Sequence, residues 1–198
     1  VVAQPKAIKI IKNLTGRGIG GRALWISGIS GSGKTTIARI VAKSIADDMY
    51  INEFDTADML TVSALDKIEK DIACRGFGKG GKAIIINEAH GLRKATIRRL
   101  LGLLERIPEY VVFIFTTTKQ GQEKLFEDQI DANPLLSRCI KIELTNQSLA
   151  RAFAEHCRKI AGIENMDGRP VESYIKLAQK CKNNCRMMLQ EIESGSML

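Results

Sequence analysis

The chain is short of several features that define whole classes of protein. Aromatic residues make up 5% of its 198 residues, so it offers few platforms on which nucleic-acid bases could stack. No apolar run approaches the length of a membrane span, which argues against a membrane partner. No charged segment followed by an apolar stretch marks a secretory signal at the start. The sequence begins with Val1 rather than methionine, and we expect it to begin inside a longer protein.

Cysteine is also scarce. The five cysteines are an odd number without regular spacing, which argues against a disulfide framework. We therefore expect an intracellular, reducing location, the cytoplasm or, in a eukaryote, the nucleus. Cys181 and Cys185, with His156 and Cys157 upstream, could form a zinc site. Because no paired C-x-x-C occurs, buried cysteines in helices are the favoured interpretation.

Acidic residues are outnumbered by basic ones, 22 to 30, and the formal net charge is +8. The excess is concentrated between residues 75 and 106, where eight basic side chains accompany only Glu88 and Glu105. A local surplus of this kind indicates a polyanion such as nucleic-acid phosphate. The alternative is a solvated basic surface without a partner. The eight are Arg75, Lys79, Lys82, Arg93, Lys94, Arg98, Arg99 and Arg106.

The most informative segment is Gly28–Thr35, which fits the phosphate-loop pattern G-x-x-x-x-G-K-[ST]. Residues 23–26 predict a buried strand before it, and Thr36–Ala46 predicts a helix after it. This context disfavours an accidental Gly/Ser turn. Backbone N–H groups of such a loop surround a phosphate, the lysine reaches the β- and γ-phosphates, and the threonine hydroxyl can hold Mg²⁺. The expected nucleotide contacts are Gly28, Ser30, Gly31, Ser32, Gly33, Lys34, Thr35 and Thr36.

Hydrophobic patterning predicts an α/β core followed by a helical domain. Apolar runs separated by helical patterns favour a parallel sheet covered on both faces, hence three layers. The five predicted strands are Ala23–Ser27, Met49–Phe54, Ala83–Asn87, Val111–Thr117 and Cys139–Leu144. Three helices are then predicted at Gln147–Ile160, Pro170–Cys181 and Asn184–Glu193, so the domains are 1–144 and 145–198. Gly76–Gly81 is expected to be a loop, and Gly121–Asn133 a loop or short helix.

Polar residues follow the predicted strand over residues 83–87. Its end places Asn87 and Glu88 at the carboxyl edge of the sheet, beside the phosphates. Glu88 could orient or deprotonate the attacking water; alternatively, its carboxylate stabilises a helix N-terminus. Asn87 lies where metal is expected, yet Mg²⁺ prefers carboxylate oxygen. If Asn87 limits the use of the metal, Asn87→Asp is expected to raise turnover.

Three further positions are candidates for contact with the γ-phosphate. Thr117 or Thr118 follows an apolar strand to the same edge, although threonine at a strand end also reflects β propensity. Arg138 precedes the last strand and is either a surface charge or a finger that acts on a neighbouring subunit's phosphate. Arg186, in the last helix, could reach over the nucleotide.

Together these motifs resemble the AAA+ ATPases, and more narrowly the clamp-loader subunits of DNA replication machines. Gly28–Thr35 matches Walker A, and Ile84–His90 resembles Walker B with Asn87 in place of aspartate. Ser137-Arg138-Cys139 matches the S-R-C motif of clamp loaders, which is the more selective signal. Three weaker similarities are the adenine-side box at residues 1–4, sensor 1 at 111–118 and the sensor 2 helix from Asn184.

The resemblance implies a Mg²⁺-dependent ATPase with sheet order 5-1-4-3-2 and a three-helix lid. Val1 and Val2 would contact the adenine side, and Arg138 would act in trans. The residues implied to act on the phosphates are Lys34, Glu88, Thr118 and Arg186. Because the chain stops after the lid, we interpret it as an ATPase module without the family's collar.

The implied partners are other clamp-loader subunits, a sliding clamp and primer–template DNA. Arg93, Lys94, Arg98 and Arg99 lie in the region that would face the DNA backbone. Two alternatives remain. One is another AAA+ machine on DNA, such as a Holliday-junction motor or a helicase loader. The other is a nucleotide-gated scaffold whose hydrolysis is weak because of Asn87, a natural or an engineered substitution.

Overall fold

A computed structural model describes residues 4–118, 132–145 and 149–198. Within them the chain divides into two compact units. The first unit comprises residues 6–28 and 34–143, and the second comprises residues 29–33, the segment from Leu144 onward and the N-terminal Gln4 and Pro5. The domain boundary predicted after Leu144 stays a prediction. Val1 and Val2, and nearly all of the predicted loop over 121–133, lie outside the described residues.

All five predicted strands are present in the first unit, with ends that differ by at most two residues. They are β1 Arg22–Ser27, β2 Ile51–Phe54, β3 Lys82–Ile86, β4 Val111–Thr117 and β5 Cys139–Glu143. The helices are α1 Pro5–Gly16, α2 Lys34–Ile45, α3 Val62–Asp71, α4 Lys94–Leu104 and α5 Ala132–Ser137. Short 3-10 turns occupy Asp48–Tyr50, Ala57–Met59 and Ala89–Gly91.

The sheet has the order β2-β3-β4-β1-β5, and every neighbouring pair is parallel. This confirms the order that the family resemblance implied. Every residue of β3 and of β4 is buried. Continuous apolar strands of this kind form where helices cover both faces of a parallel sheet.

The core forms where helices pack against the two faces of the central sheet. On one face Trp25, Phe113 and Phe115 pack with buried residues of α3 and α4, and the rings of Trp25 and Phe115 lie 5.5 Å apart. Side chains alternate along a strand, so Leu24 and Ile26 face the other side, where α2 contacts β1, β3 and β4. The three-layer architecture predicted from the sequence is therefore confirmed.

The second unit contains the three predicted helices, here α6 Ala150–Ile163, α7 Val171–Lys180 and α8 Cys185–Glu193. Its core includes Phe153, Tyr174 and Met188. Cys157 and Cys181 are buried in the same cluster, and Cys185 packs against it while only partly buried. Among the described residues no group of His, Cys, Asp and Glu side chains is arranged to hold a metal ion.

None of the helices in the described ranges combines the length and apolar character that crossing a bilayer requires.

Phe113 and Phe77 provide a matched test of the core. Phe113 is fully buried, whereas Phe77 is 84% exposed. We expect Phe113→Ala to lower the free energy of unfolding by about 3–5 kcal/mol, because it removes a buried ring and leaves a cavity. Phe77→Ala is expected to change it by less than about 0.5 kcal/mol. Urea unfolding followed by the fluorescence of Trp25, the single tryptophan, measures both, and equal losses would contradict the packing described.

Candidate nucleotide-binding site

Polar residues from neighbouring strands meet at the carboxyl edge of the sheet. β1 continues into the loop that begins at Gly28, β3 is followed by Asn87, and β4 ends with Thr116 and Thr117. These three strands are adjacent, in the order β3-β4-β1. The carboxyl edge of such a sheet is where α/β folds bind their ligands.

The loop after β1 has the backbone that a phosphate site needs. Gly31 and Gly33 have φ values of +73° and +92°, a conformation that other residues rarely adopt. Ser32 folds back on the loop, where its hydroxyl donates to the Ile29 carbonyl at 2.8 Å. α2 begins directly afterwards at Lys34, and its first N–H groups lack helical acceptors. An anion is the natural acceptor at such a helix start.

Lys34 supplies a charge at the same place. Its side chain is largely buried, with 7% of the residue exposed, and its ammonium donates to the Gly28 carbonyl at 3.2 Å. Burying an ammonium group is costly unless an opposite charge or strong acceptors offset the loss of water. The lysine and the helix start together favour a polyanionic ligand such as a triphosphate. Thr36 and Ser30, also predicted to contact nucleotide, are both exposed beside them in the sequence.

Asn87 is the centre of a hydrogen-bond network. Its side-chain oxygen Oδ1 accepts from the Thr35 hydroxyl at 3.2 Å and from the Thr116 hydroxyl at 2.9 Å. Its amide nitrogen Nδ2 donates to the Glu53 carboxylate at 2.8 Å. The residue is 6% exposed. Asn87, which stands where a carboxylate is expected to hold the metal, is therefore hydrogen-bonded to three side chains of the site.

Glu53 brings a carboxylate into this network from β2. Arg39 of α2 donates two hydrogen bonds to this carboxylate, from Nε at 2.8 Å and from Nη2 at 3.1 Å. Burial raises the pKa of Glu53, but the hydrogen bonds from Arg39 and Asn87 and the charge of Arg39 outweigh it, so its pKa lies below the usual value. The carboxylate is therefore ionised at neutral pH.

Two oxygen atoms are placed for the Mg²⁺ that the family resemblance implies. Thr35 Oγ1 and Asn87 Oδ1 are both oxygen ligands and lie 3.2 Å apart. Mg²⁺ is usually bound through one or two carboxylates, substrate phosphates and several waters, so these two neutral oxygen atoms support it less strongly than a carboxylate would. Thr35 and Asn87 are the residues that would hold it, and a bound Mg²⁺ would offset charge on the phosphate oxygens.

Glu88 has an unusual backbone. Its φ and ψ are 50° and 49°, a left-handed conformation that is uncommon for residues other than glycine, and such strain often accompanies function. Its carboxylate lies 3.4 Å from Nδ1 of His90, which in turn lies 3.3 Å from the hydroxyl of Thr117. Glu88 thus projects beside the end of β4 while about half of its side chain remains exposed.

The chain is similar to known proteins over the region that contains this site. The model of the ATPase family associated with various cellular activities (AAA) matches residues 24–147, more than half of the chain. The chain belongs to the AAA family of ATPases. The matched region contains the phosphate loop, Asn87, Glu88 and Arg138.

Several relatives of this AAA ATPase are named as DNA polymerase III subunits. Identity is 32% over 160 residues to DNA polymerase III subunit gamma/tau of Mycoplasma genitalium, covering 70% of this chain and 26% of that protein. Identity is 27% over 186 residues to DNA polymerase III subunit gamma of Buchnera aphidicola subsp. Schizaphis graminum, covering 82% and 49%. The chain thus spans a quarter to a half of these relatives' length. Their names confirm the resemblance to clamp-loader ATPases.

A solved structure bears on the fold alone. The Holliday junction branch migration motor RuvB of Thermotoga maritima superposes with a TM-score of 0.74 at 20% identity, covering 97% of this chain and 61% of that one. The likeness confirms a P-loop AAA fold.

Arg138 lies at the opposite edge of the sheet from the phosphate loop of this AAA ATPase. It precedes β5, whose first residue Cys139 is paired with Ala23 of β1. The segment of β1 from Ala23 to Gly28 spans about 17 Å at about 3.3 Å per residue. This distance is longer than an arginine side chain. The guanidinium instead donates to the Pro134 carbonyl at 3.0 Å and to the Glu105 carboxylate. Arg138 is therefore out of reach of a phosphate held by its own loop.

Arg186 is exposed in the first turn of α8. Asn184 caps this helix, and its side-chain oxygen accepts from the Met187 N–H at 3.2 Å. A cation at a helix N-terminus faces the unfavourable end of the helix dipole. Arg186 therefore does not stabilise α8 through the helix dipole. Thr118, which the sequence also suggested for the γ-phosphate, follows β4 and is partly exposed.

The basic side chains between residues 75 and 106 differ in their surroundings. Some of them contact acids or an aromatic ring, and others are exposed. Lys82 is buried and donates to Asp71 at 2.8 Å, and Arg75 lies over the ring of Tyr110 at 4.8 Å. Arg99 of α4 is held by two carboxylates of α3, Asp66 and Glu69. Arg93, Lys94 and Arg98 are exposed around α4, and Arg93 lies 3.7 Å from Asp58.

Sequence reasoning missed three members of the site. Glu53 and its partner Arg39 were not considered, although Glu53 stands one residue from the end of β2, where the same edge argument applies. Thr116 was passed over in favour of the next two threonines, yet it is the one that bonds to Asn87. A one-residue difference along a strand reverses the face of the sheet.

Lys34→Ala tests the phosphate loop. We expect it to weaken MgATP binding by about 2 kcal/mol or more, roughly thirtyfold, because a buried charge that faces the phosphates is lost. Lys43→Ala is the control, since Lys43 lies at the other end of α2 in an exposed pair with Asp48 and is expected to bind as before. Titration calorimetry measures both affinities. Equal affinities in the two variants would contradict the assignment of Lys34.

Proposed function

We propose that this chain is the ATP-binding and ATP-hydrolysing module of a subunit that loads a sliding clamp onto primer–template DNA. The placement of Arg138 is the observation that carries the proposal. A complete phosphate loop stands at one edge of the sheet and the S-R-C arginine at the other. A chain of this design supplies the arginine to a neighbour and receives one in return, which favours a ring or spiral of similar subunits.

The chemistry follows from the residues at the carboxyl edge. Lys34 and the start of α2 hold the β- and γ-phosphates. Thr35 and Asn87 present oxygen atoms on the metal side of the phosphates, and Glu88 orients the attacking water. An arginine from the neighbouring subunit offsets the charge that develops on the γ-phosphate. Arg186 and Thr118 are proposed as further contacts to the γ-phosphate.

The DNA partner is supported by the start of α4. Arg93 and Lys94 stand where a helix favours anions, so their positive charges add to the helix dipole rather than cancel it. Arg98 is exposed one turn further along the same helix. Arg99 is held by Asp66 and Glu69, which favours a role in fixing α4 to α3.

A second candidate function is a motor on DNA junctions, which the RuvB-like fold favours. A third is a scaffold that binds ATP and hydrolyses it poorly, which the neutral Asn87 favours. Primer–template DNA with a sliding clamp should stimulate hydrolysis by a loader. A junction motor should respond to branched DNA without a clamp, and a scaffold to neither.

Arg138→Ala tests both the loader and its trans arginine. In the full-length protein with its partner subunits, primed DNA and clamp, we expect a loss of turnover of about a thousandfold, as for other arginine fingers. Binding of MgATP to the variant itself should remain within about twofold of the unsubstituted chain. Turnover is followed by phosphate release and binding by calorimetry.

A mixture of two variants provides the control. Lys34→Ala lacks the phosphate contact but keeps Arg138, so mixing it with Arg138→Ala should restore part of the hydrolysis that neither variant has alone. If Arg138→Ala loses its own nucleotide binding, or if the mixture stays inactive, the trans role is refuted.

The salt dependence of DNA binding separates surface cations from structural ones. The double variant Lys94→Ala/Arg98→Ala is expected to weaken DNA binding and to reduce the slope of log K against log salt by about two, one for each lost phosphate contact. Arg99→Ala should leave the slope unchanged and lower the melting temperature instead. Fluorescence anisotropy with labelled primed DNA measures the slope. An unchanged slope in the double variant would exclude this surface.

A further inference from the structure

Every strong polar group of the Asn87 side chain has a defined partner. Oδ1 accepts from the hydroxyls of Thr35 and Thr116, while Nδ2 donates to Glu53. A carboxamide can rotate by half a turn and exchange its donor and acceptor ends. Either Oδ1 or Nδ2 could therefore face Thr35. The choice depends on which group bonds to the opposite end of the amide.

Glu53 removes that freedom. An ionised carboxylate accepts hydrogen bonds and donates none, so only Nδ2 of Asn87 can face it. Arg39 holds the carboxylate with two hydrogen bonds, at 2.8 Å and 3.1 Å. The pair thereby orients Oδ1, the only metal-ligating end of the amide, toward Thr35.

The sheet prevents the two side chains from moving apart. Glu53 is paired with Ile85 in the β2–β3 register, and the N–H of Asn87 donates to the Phe54 carbonyl at 2.9 Å. The separation between Glu53 and residue 87 is therefore set by backbone pairing. An aspartate at position 87 would bring a second carboxylate to within about the same 2.8 Å that now separates Nδ2 from Glu53, where like charges repel strongly.

We propose that the carboxylate on the metal side of this nucleotide site is that of Glu53 on β2, and that Asn87 is the neutral link through which Glu53 orients Oδ1 toward the metal. Glu53 is a positioning residue in this arrangement. The inference rests on the proposed function, because it concerns metal-assisted binding of a nucleotide. The proposal also reverses the expectation that Asn87→Asp alone raises turnover. A carboxylate can be added at position 87 only if the carboxylate at position 53 is removed.

The first experiment separates metal use from nucleotide binding. The affinity of the chain for a fluorescent methylanthraniloyl-ADP is measured with Mg²⁺ and with EDTA, and the ratio gives the gain due to the metal. Glu53→Gln is expected to reduce this gain about tenfold, as removal of groups that orient metal ligands commonly does. Its affinity in EDTA should stay within about twofold of the unsubstituted chain. Asp48→Asn is the control, because it removes the same charge from an exposed pair with Lys43.

The second experiment moves the acid from one strand to the other. In the absence of nucleotide, Asn87→Asp is expected to lower the melting temperature by about 2–8 °C, because two carboxylates would be held against each other. The double variant Glu53→Gln/Asn87→Asp should recover the melting temperature and the gain due to Mg²⁺. A purely structural role of Glu53 would not produce this recovery of metal dependence.

The outcomes distinguish the inference from the function on which it rests. If the unsubstituted chain binds no nucleotide, the proposed function fails. If it binds nucleotide but Glu53→Gln keeps the full Mg²⁺ gain, or loses affinity equally with Mg²⁺ and with EDTA, the inference is overturned. It is likewise overturned if Asn87→Asp with Glu53 intact is as stable as the unsubstituted chain and gains affinity with Mg²⁺.

Discussion

Parallel pairing of the five strands is the constraint from which the arrangement of this AAA ATPase follows. Backbone pairing puts the ends of β1, β2, β3 and β4 at one edge, where residues remote in the sequence come within hydrogen-bond distance. The same pairing holds Arg138 at the other edge, separated from the phosphate loop by the length of β1. Helices on both faces keep water from the central strands β3, β4 and β1, so the pairing is stable enough to fix these distances.

The charges at the carboxyl edge are arranged for an anion. A largely buried lysine and a helix start present positive charge to the loop, while the carboxylate of Glu53 on β2, three strands from β1 in the sheet, is paired with Arg39. Asn87 joins the two regions without adding charge of its own. A site of this kind is costly when empty and favourable when a polyanion replaces the lost water.

Charge counted along the sequence overstates the charge that reaches the surface. The basic stretch from residue 75 to residue 106 has few acids of its own. In the fold, however, acids from other elements pair with several of its members, as Asp71 does with Lys82 and Asp66 with Arg99. These acids precede the stretch in the sequence and meet it only through packing. The local surplus therefore indicates a surface smaller than the sequence suggests, centred on the start of α4.

The sequence by itself determined the strands, the phosphate loop and the likeness to clamp loaders, because each depends on residues that are contiguous. Apolar runs predict buried strands wherever they pack, and a glycine-rich turn between a strand and a helix has few other uses. Only the tertiary structure decided that Thr116 rather than its neighbours bonds to Asn87, and that Glu53 and Arg39 belong to the site. These contacts depend on strand order and on register, which place residues 34 positions apart side by side. No local pattern encodes that distance.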